Sequence, residues 1–210
     1  MSLSALQTRL FLAPLQGKTT VFLVADRRTN LLLGKLVLSS LVANGTSCII
    51  LDTDAFYASN SELLAEGISR PDLGNLRLYV PKVGTTSEEA ALELFKGYGG
   101  RAVIIDNLNS FYHTLSSENR SSAGRKLTFL VALLSFLGHA NGTTVFVTTY
   151  EREKPTIPRH TRPFSGLGDV SISTRCAGDR LILECESGTT WPDGTLSFSI
   201  PSSISRVVSP

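Results

Sequence analysis

Arg101-Ala-Val-Ile-Ile-Asp106 is the most informative stretch of the chain. Its core has no polar position on either side, which is typical of a strand buried on both faces of a parallel sheet. The runs Thr19–Ala25 and Ser47–Asp52 have the same character, and the second also ends in a carboxylate. These three runs therefore predict the centre of an α/β sheet.

Helical segments separate these strands. The pattern predicts helices over about 30–43, 59–68, from 86 to the Gly97–Gly100 cluster and over 121–139, with further strands over 76–80 and 143–148. Strands that alternate with helices indicate a mostly parallel sheet with helices on both faces.

The character of the sequence changes after Glu151. Residues 151–168 are basic and contain prolines, and three short alternating runs follow near 169–175, 180–186 and 195–200. These runs predict antiparallel strands added to the sheet edge. We therefore expect a single core domain over 1–210, with a lead-in segment over 1–18 and a C-terminal β extension over 169–210.

Composition limits the possible functions. The chain has 210 residues, of which 42% are hydrophobic and 18% charged, and a formal net charge of only +2. This excludes extensive disorder and binding of nucleic acid by bulk charge, but not a local basic patch. The apolar run 127–137 is shorter than the roughly 20 residues of a membrane span and predicts a buried helix. The amino terminus lacks the pattern of a signal peptide, so we expect a cytoplasmic protein without membrane contact.

The three cysteines predict free thiols rather than disulfides. If the turn at 177–179 closes a hairpin with Cys176 opposite Arg180, Cys185 falls opposite Ser171 and the two sulfurs cannot meet. No paired Cys or His spacing indicates a metal site. Reduced thiols are typical of cytosolic proteins.

Two segments could be mistaken for a phosphate-binding loop. Gly17-Lys18-Thr19-Thr20 has suitable residues, but it precedes a strand, whereas such a loop must follow a strand and open a helix. Gly34-Lys35 falls inside a predicted helix. The segment in the right place is 25–30, which contains no glycine. Arg28 and Thr29 could supply a phosphate-binding cation and a magnesium-binding hydroxyl there, or Thr29 could simply cap the helix.

Carboxylates end two of the predicted central strands. Asp106 is placed like the Walker B carboxylate that holds Mg²⁺ through water, and Asp52-Thr53-Asp54 ends its strand similarly. Each could alternatively cap the loop that follows. Asp52 and Asp106 are the candidate ligands if magnesium and a nucleotide bind.

The order of elements resembles the RecA-like ATPase core of the archaeal RadA and KaiC group. The likeness is clearest over 101–199: the strand ending in Asp106-Asn-Leu-Asn-Ser, the helix opening Ala123-Gly-Arg-Lys-Leu127, the strand before Tyr150, and the hairpin ending Trp191-Pro-Asp-Gly-Thr-Leu-Ser-Phe198. It implies a RecA-like fold and the activities of a recombinase paralogue. Within it, the Walker A loop is degenerate at 25–29.

Departures from the family change what the resemblance implies. Tyr150 stands where the family has a γ-phosphate-sensing glutamine, and no Phe-x-x-Ala polymerisation motif lies near Phe11. Catalytic residues are therefore not assigned, and ATPase activity and autonomous filament formation are expected to be lost. ATP and Mg²⁺ remain possible as ligands.

In RecA-like proteins, the loops after the fourth and fifth strands hold single-stranded DNA. The corresponding segments are 111–124 and 151–166, and residues 107–165 contain seven basic and three acidic residues. Cationic side chains could contact phosphates and rings could stack on bases. The candidate DNA-binding residues are Phe111, Tyr112, Arg152, Lys154, Arg159, His160 and Arg162, with Tyr150 and Phe164 as further stacking candidates.

The hypothesis that follows is a RadA-paralogue-like accessory protein of homologous recombination and DNA repair. It would bind single-stranded DNA, a RecA-family recombinase, or both, and could form homo-oligomers. Two alternatives stay open: a RecA-fold ring-forming assembly subunit that resembles the Elongator subcomplex proteins, and a weak ATPase that uses Arg28, Thr29, Asp52 and Asp106.

Overall fold

The computed structural model describes residues 10–95, 102–150, 166–188, 191 and 193–200. These residues form one eight-stranded sheet with the order β3-β2-β4-β5-β1-β6-β7-β8. The strands are β1 (Thr19–Val24), β2 (Cys48–Asp52), β3 (Leu76–Tyr79), β4 (Ala102–Asp106), β5 (Thr144–Tyr150), β6 (Val170–Ala177), β7 (Arg180–Ser187) and β8 (Thr195–Ser199).

Strands β1 to β5 are parallel, as predicted. In the register of β2 and β4, Asp52 lies opposite Asp106, and β4 and β1 both pair with β5. Every residue of β1, β2 and β4 is buried, in agreement with their continuous apolar sequence. Because parallel strands end at the same edge, the sheet brings the two terminal carboxylates together.

The C-terminal extension differs from the prediction in one strand. Strand β6 runs parallel to β1, with Val21 opposite Ser171, and only β7 and β8 are antiparallel additions. The connection over 151–169 is long enough to return the chain to the starting edge of the sheet, which a parallel pair requires.

The β6–β7 hairpin is one residue tighter than predicted. Gly178 and Asp179 form the turn, so Ala177 lies opposite Arg180 and Cys176 opposite Leu181. Gly178 takes a positive φ of 61°, as two-residue hairpin turns require. The predicted free thiols are confirmed for all three cysteines.

Helices cover both faces of the sheet. A 3₁₀ turn (Ala13–Leu15) precedes β1, and the α-helices are α1 (Arg27–Ala43), α2 (Phe56–Ser59), α3 (Ser61–Ala65), α4 (Arg70–Leu73), α5 (Ser87–Phe95), α6 (Leu108–Asn119) and α7 (Ala123–Asn141). The core on one face includes α1, and the core on the other includes α5, α6 and α7. No helix in the described ranges is both long and apolar enough to cross a bilayer.

The predicted helix over 59–68 is wrong in its extent. Three short helices, α2 to α4, occupy 56–73. The chain becomes extended at Glu66 and takes a positive φ of 86° at Gly67, which ends the helical path. The first of them, α2, lies at the carboxyl end of β2, where the Ala58 amide contacts Asp52, whereas α4 leads into the start of β3.

The predicted loop after β4 is also wrong. Residues 108–119 form α6, which begins where the Asn107 side chain accepts a hydrogen bond of 2.9 Å from the Ser110 amide. Leu108, Phe111 and Leu115 recur at helical spacing and are buried. Asn107 therefore acts as a helix cap, whereas the Ser/Asn-rich composition of the stretch had indicated a loop.

The lead-in segment contributes to the core. Phe11 stacks on Phe22 and Trp191 at centroid distances of 6.4 Å, and meets Phe198 edge-on at 6.3 Å. The Trp191 indole N–H donates to the Leu10 carbonyl at 3.1 Å. This aromatic cluster joins the start of the chain to the C-terminal strands.

Gly188 gives a test of how β7 packs against β6. Its φ is +87°, and a Cβ would overlap the Asp169 carbonyl oxygen and lie 3.0 Å from Val170 Cα. Gly188→Ala should lower the free energy of unfolding in urea by about 2–4 kcal/mol, since overpacking adds to the backbone cost. Gly45→Ala is the control, because Gly45 has a φ of +64° and open space around it. Its cost should be only about 1 kcal/mol. Equal losses in the two variants would contradict this packing.

Candidate functional site

Three aspartates converge at the carboxyl edge of the sheet. Asp52 ends β2, Asp106 ends β4, and Asp54 follows β2 by two residues. One carboxylate oxygen from each lies within 4.8 Å of the others. Asp52 and Asp106 are fully buried, whereas Asp54 is exposed. We call these three residues the carboxylate cluster.

Asp106 lies at the centre of a buried polar network. The Thr148 hydroxyl donates to it from β5, and the Asn30 side-chain amide lies 3.1 Å from both carboxylate oxygens. The same Asn30 amide nitrogen lies 3.2 Å from the Tyr150 hydroxyl. This network joins α1 to β4 and β5, so it fixes the helix start against the edge of the sheet.

The remaining cluster members have separate supports. The Ala58 amide donates to Asp52 Oδ2 at 2.9 Å, and the Asn107 side chain donates to Asp54 at 3.0 Å. Thr53 joins the end of β2 to the end of β4, since its amide donates to the Asp106 carbonyl at 2.7 Å. Its hydroxyl accepts from the Asn107 amide at 2.9 Å. The peptide bond between Asp106 and Asn107 is cis.

Burial governs the electrostatics of the site. It raises the pKa of Asp106 to about 7, against the opposing effect of the hydrogen bonds from Thr148 and Asn30. Burial also raises the pKa of Asp52, and it raises that of the Tyr150 hydroxyl, to which the charge of Asp106 adds. Close carboxylates disfavour one another's ionised form in the same way. The site therefore favours binding a proton or a cation.

The cluster fits a divalent cation. Carboxylate oxygens are the ligands that Mg²⁺ and Mn²⁺ prefer, and within the described ranges no Lys or Arg forms an ion pair with the three aspartates. Asp52 Oδ1 is buried without a hydrogen-bond donor. A cation held by Asp52, Asp54 and Asp106 would supply positive charge where burial otherwise requires a proton.

The turn between β1 and α1, where a RecA-like phosphate-binding loop would lie, is short. Only Ala25 and Asp26 separate β1 from α1, and the Asp26 carboxylate accepts from the Thr29 amide at 2.7 Å. A phosphate loop instead leaves such amides free for the anion. Here an acid already occupies the helix start, and its charge opposes phosphate.

Arg28 and Thr29 are not joined to the carboxylate cluster by any contact in the described part of the chain. Thr29 is fully buried and its hydroxyl lies 3.4 Å from Cys176 Sγ, toward β6. The predicted capping role for Thr29 is wrong, since Asp26 caps α1. Arg28 and Arg27 instead line a cavity of about 280 Å³ together with Asp54 and Phe56.

The other apparent phosphate-binding motifs are structural. Thr19 and Thr20 open β1, at the edge of the sheet opposite the carboxylate cluster, and the Gly17 amide donates to the Thr144 hydroxyl at 3.0 Å. As predicted, Gly17–Thr20 leads into a strand instead of following one. Gly34 lies inside α1, as predicted, and is buried against Tyr57.

Most of the predicted DNA-binding residues lie outside the described residues. These are Arg152, Lys154, Arg159, His160 and Arg162, with Phe164. The prediction that Phe111 binds DNA is wrong, because its ring is buried in the core beneath α6 and cannot stack on a base. Tyr112 is half-buried, packs against the same core and meets the His113 ring edge-on at 6.2 Å.

Sequence reasoning missed three site residues. Asn30 and Thr148 contact Asp106, and Asp54 completes the carboxylate cluster. Asn30 left a signal, because it is a polar residue next to the apolar run 31–33 at the start of α1. Thr148 left none, since threonine is common in strands.

The network predicts an unusual dependence of stability on pH. The ordinary pKa of an aspartate is near 3.8 and that of native Asp106 is about 7, so the native state binds more protons between these values. The free energy of unfolding should therefore fall as the pH rises from 4 to 7. Asp106→Asn should flatten this fall and stabilise the protein at pH 8 by roughly 2–4 kcal/mol. Urea unfolding in buffer with EDTA measures this.

The control is Glu62→Gln, which removes a charge from the exposed face of α3. It should leave the slope between pH 4 and 7 as in the unmodified chain. An Asp106→Asn variant with an unchanged slope would show that Asp106 is ionised throughout this range, contrary to the prediction.

Comparison with known proteins identifies the fold. No protein-family model and no curated protein matches the chain. Among solved structures, the crystal structure of the RadB recombinase is similar with a TM-score of 0.68 and 18% sequence identity, over 89% of this chain and 88% of that chain. At this identity the likeness concerns the fold. The chain thus has a RecA-like fold, and its carboxylate cluster lies at the carboxyl edge of the parallel strands.

Proposed function

We propose that this chain is a RecA-fold accessory protein of homologous recombination and DNA repair, of the RadA-paralogue type. It binds single-stranded DNA, a recombinase partner, or both, and does not hydrolyse ATP. The observation that carries the proposal is the β1–α1 turn of two residues, closed by Asp26. A RecA-like sheet is kept while the phosphate-binding loop is absent from its place.

The loss of hydrolysis follows from the contacts around this turn. ATP hydrolysis needs amides and a cation around the phosphates, with a metal bridging them. Asp26 takes the Thr29 amide, and the Thr29 hydroxyl faces Cys176. Asn30 binds Asp106 and Tyr150 across the site. Negative charge and a closed network thus occupy the region that phosphates would need.

Nucleic-acid binding is supported by where the charge lies. Residues 107–165 hold seven of the chain's 20 basic residues and only three of its 18 acidic ones. Within the described part, Arg120 is exposed at the α6–α7 junction. Single-stranded DNA binding in general combines such cations with aromatic platforms. The name of the similar RadB recombinase agrees with a role in recombination.

Single-stranded DNA binding is the first test. A fluorescent 30-nucleotide strand should bind with an affinity that falls steeply with salt, because bound cations release counterions. Replacing Arg159 and Arg162 by Ala should weaken binding by at least about fivefold and reduce the salt slope by about 1.4. Fluorescence anisotropy between 50 and 300 mM NaCl measures both.

The matched control is the double variant Arg70→Ala and Arg77→Ala, which removes two exposed arginines near the β3 edge of the sheet. It should bind like the unmodified chain. Absent or salt-insensitive binding, or equal losses in both double variants, would contradict DNA binding through 151–166. The recombinase-partner part would then be tested by co-purification.

Nucleotide binding is the second test. Titration calorimetry with ATP and Mg²⁺ should give no measurable heat of binding, since the Asp26 carboxylate occupies the helix start where phosphates would lie. Phosphate release should equal that of the buffer. ATP binding that disappears in Asp106→Asn, a variant expected to fold, would support the weak-ATPase alternative and overturn this part of the proposal.

A further inference from the structure

The solvent-facing side of α7 is unusually apolar. It carries Arg125, Phe129, Ala132, Phe136 and His139, which we call the outer face of α7. Phe129 is 68% exposed and Phe136 is 67% exposed. The two residues are seven positions apart, so they lie on one side of the helix, separated by about 10.5 Å along its axis, or nearly two turns.

This face is unlike that of an ordinary surface helix. From Leu127 to Gly138 the helix contains no charged residue, and its inner face is buried against the sheet through Leu127, Leu130, Val131 and Leu134. A helix that packs on a sheet normally carries polar residues on its other side, and a helix that is apolar all round is normally covered. The sequence thus predicts a buried helix, but a single chain buries only half of it.

We propose that a second copy of this chain covers the outer face, with the two α7 helices packed antiparallel about a twofold axis. This inference is independent of the proposed function. The spacing of the apolar residues is self-complementary: with the axis beside Ala132, Phe129 of each copy lies level with Phe136 of the other. The small side chain of Ala132 allows the helices to approach at the centre, where the rings can pack on each other.

Charge selects the antiparallel orientation. Arg125 is exposed near the start of the helix, whereas the end carries the negative pole of the helix dipole. His139 brings a carboxylate to the same end, since its Nε2 lies 3.3 Å from Asp169 Oδ2. An antiparallel pair places Arg125 of each copy beside this negative end. A parallel pair would place the two arginines against each other.

The size of the face predicts a reversible dimer. A phenylalanine carries about 150–250 Å² of surface, so four rings that are two-thirds exposed offer roughly 400–670 Å². Stable interfaces bury about 1,200–2,000 Å² in total. The area that the four rings do not supply must come from the rest of the two outer faces. We therefore expect dissociation in the micromolar range rather than a permanent dimer, and a closed twofold assembly rather than a filament.

Sedimentation equilibrium of the full chain from 1 to 200 µM tests the proposal. The chain should change from monomer to dimer over this range, and the double variant Phe129→Glu and Phe136→Glu should stay monomeric throughout. Because both rings are exposed, circular dichroism should show an unchanged fold. If the double variant does not fold, Phe129→Gln alone should raise the dissociation constant at least tenfold.

Val83→Glu is the matched control, because this side chain is apolar and fully exposed in the loop after β3. It should dimerise like the unmodified chain. A chain that is monomeric at 200 µM overturns the proposal, as does a dimer that survives the change of both phenylalanines. Equal weakening by Val83→Glu would place the interface elsewhere and also overturn it.

Arg125→Glu tests the orientation. In the antiparallel dimer this change opposes Asp169 of the other copy, so the dissociation constant should rise about tenfold at 50 mM NaCl and less at 500 mM. Arg70→Glu, on α4, should have no effect. An unchanged constant would fit a parallel pair, in which two glutamates replace two arginines, or a contact that leaves Arg125 out, and tighter association would show that Arg125 does not face a carboxylate of the other copy. Either result overturns the antiparallel arrangement.

Discussion

The buried carboxylate of Asp106 is the constraint around which the carboxyl edge of the sheet is organised. A charge in this position costs much free energy unless it is protonated or neutralised by a neighbour. Asn30 from α1 and Thr148 from β5 both donate to it, while Thr53 binds the adjoining backbone. The Asp106 side chain therefore joins the first helix to the sheet, while the backbone beside it, through Thr53, joins the ends of β2 and β4.

The start of α1 is closed by polar contacts within the chain. The turn between β1 and α1 is short, and Asp26 satisfies an amide that a phosphate would otherwise bind. The amide of Asn30 bridges Asp106 and Tyr150. The edge of the sheet is thus held by internal polar contacts. Beside them, the three aspartates of the carboxylate cluster present their oxygens close enough together to share a cation.

The two faces of α7 illustrate a second division of roles. Its inner face packs on the sheet and belongs to the fold, whereas Phe129 and Phe136 contribute nothing to the core of a single chain. Exposed aromatic rings add little to the stability of a monomer, and they favour association. A dimer formed through α7 would leave the carboxylate cluster, at the edge of the sheet, free for a separate function.

The sequence alone determined the parallel core, because runs such as 101–106 are apolar on both faces, as strands covered by helices on both sides of a parallel sheet are. It also determined that Asp52 and Asp106 end two of the central strands, while their adjacency came from the strand order of the sheet. The helix over 108–119 could also have been predicted, because its cap joins Asn107 to Ser110 and its apolar residues have helical spacing. The tertiary structure decided the parallel placement of β6 and the meeting of Asn30 and Thr148 at Asp106. These depend on contacts between residues distant in the chain, since a hydrogen-bond partner or an exposed helix face is defined only once the elements have packed.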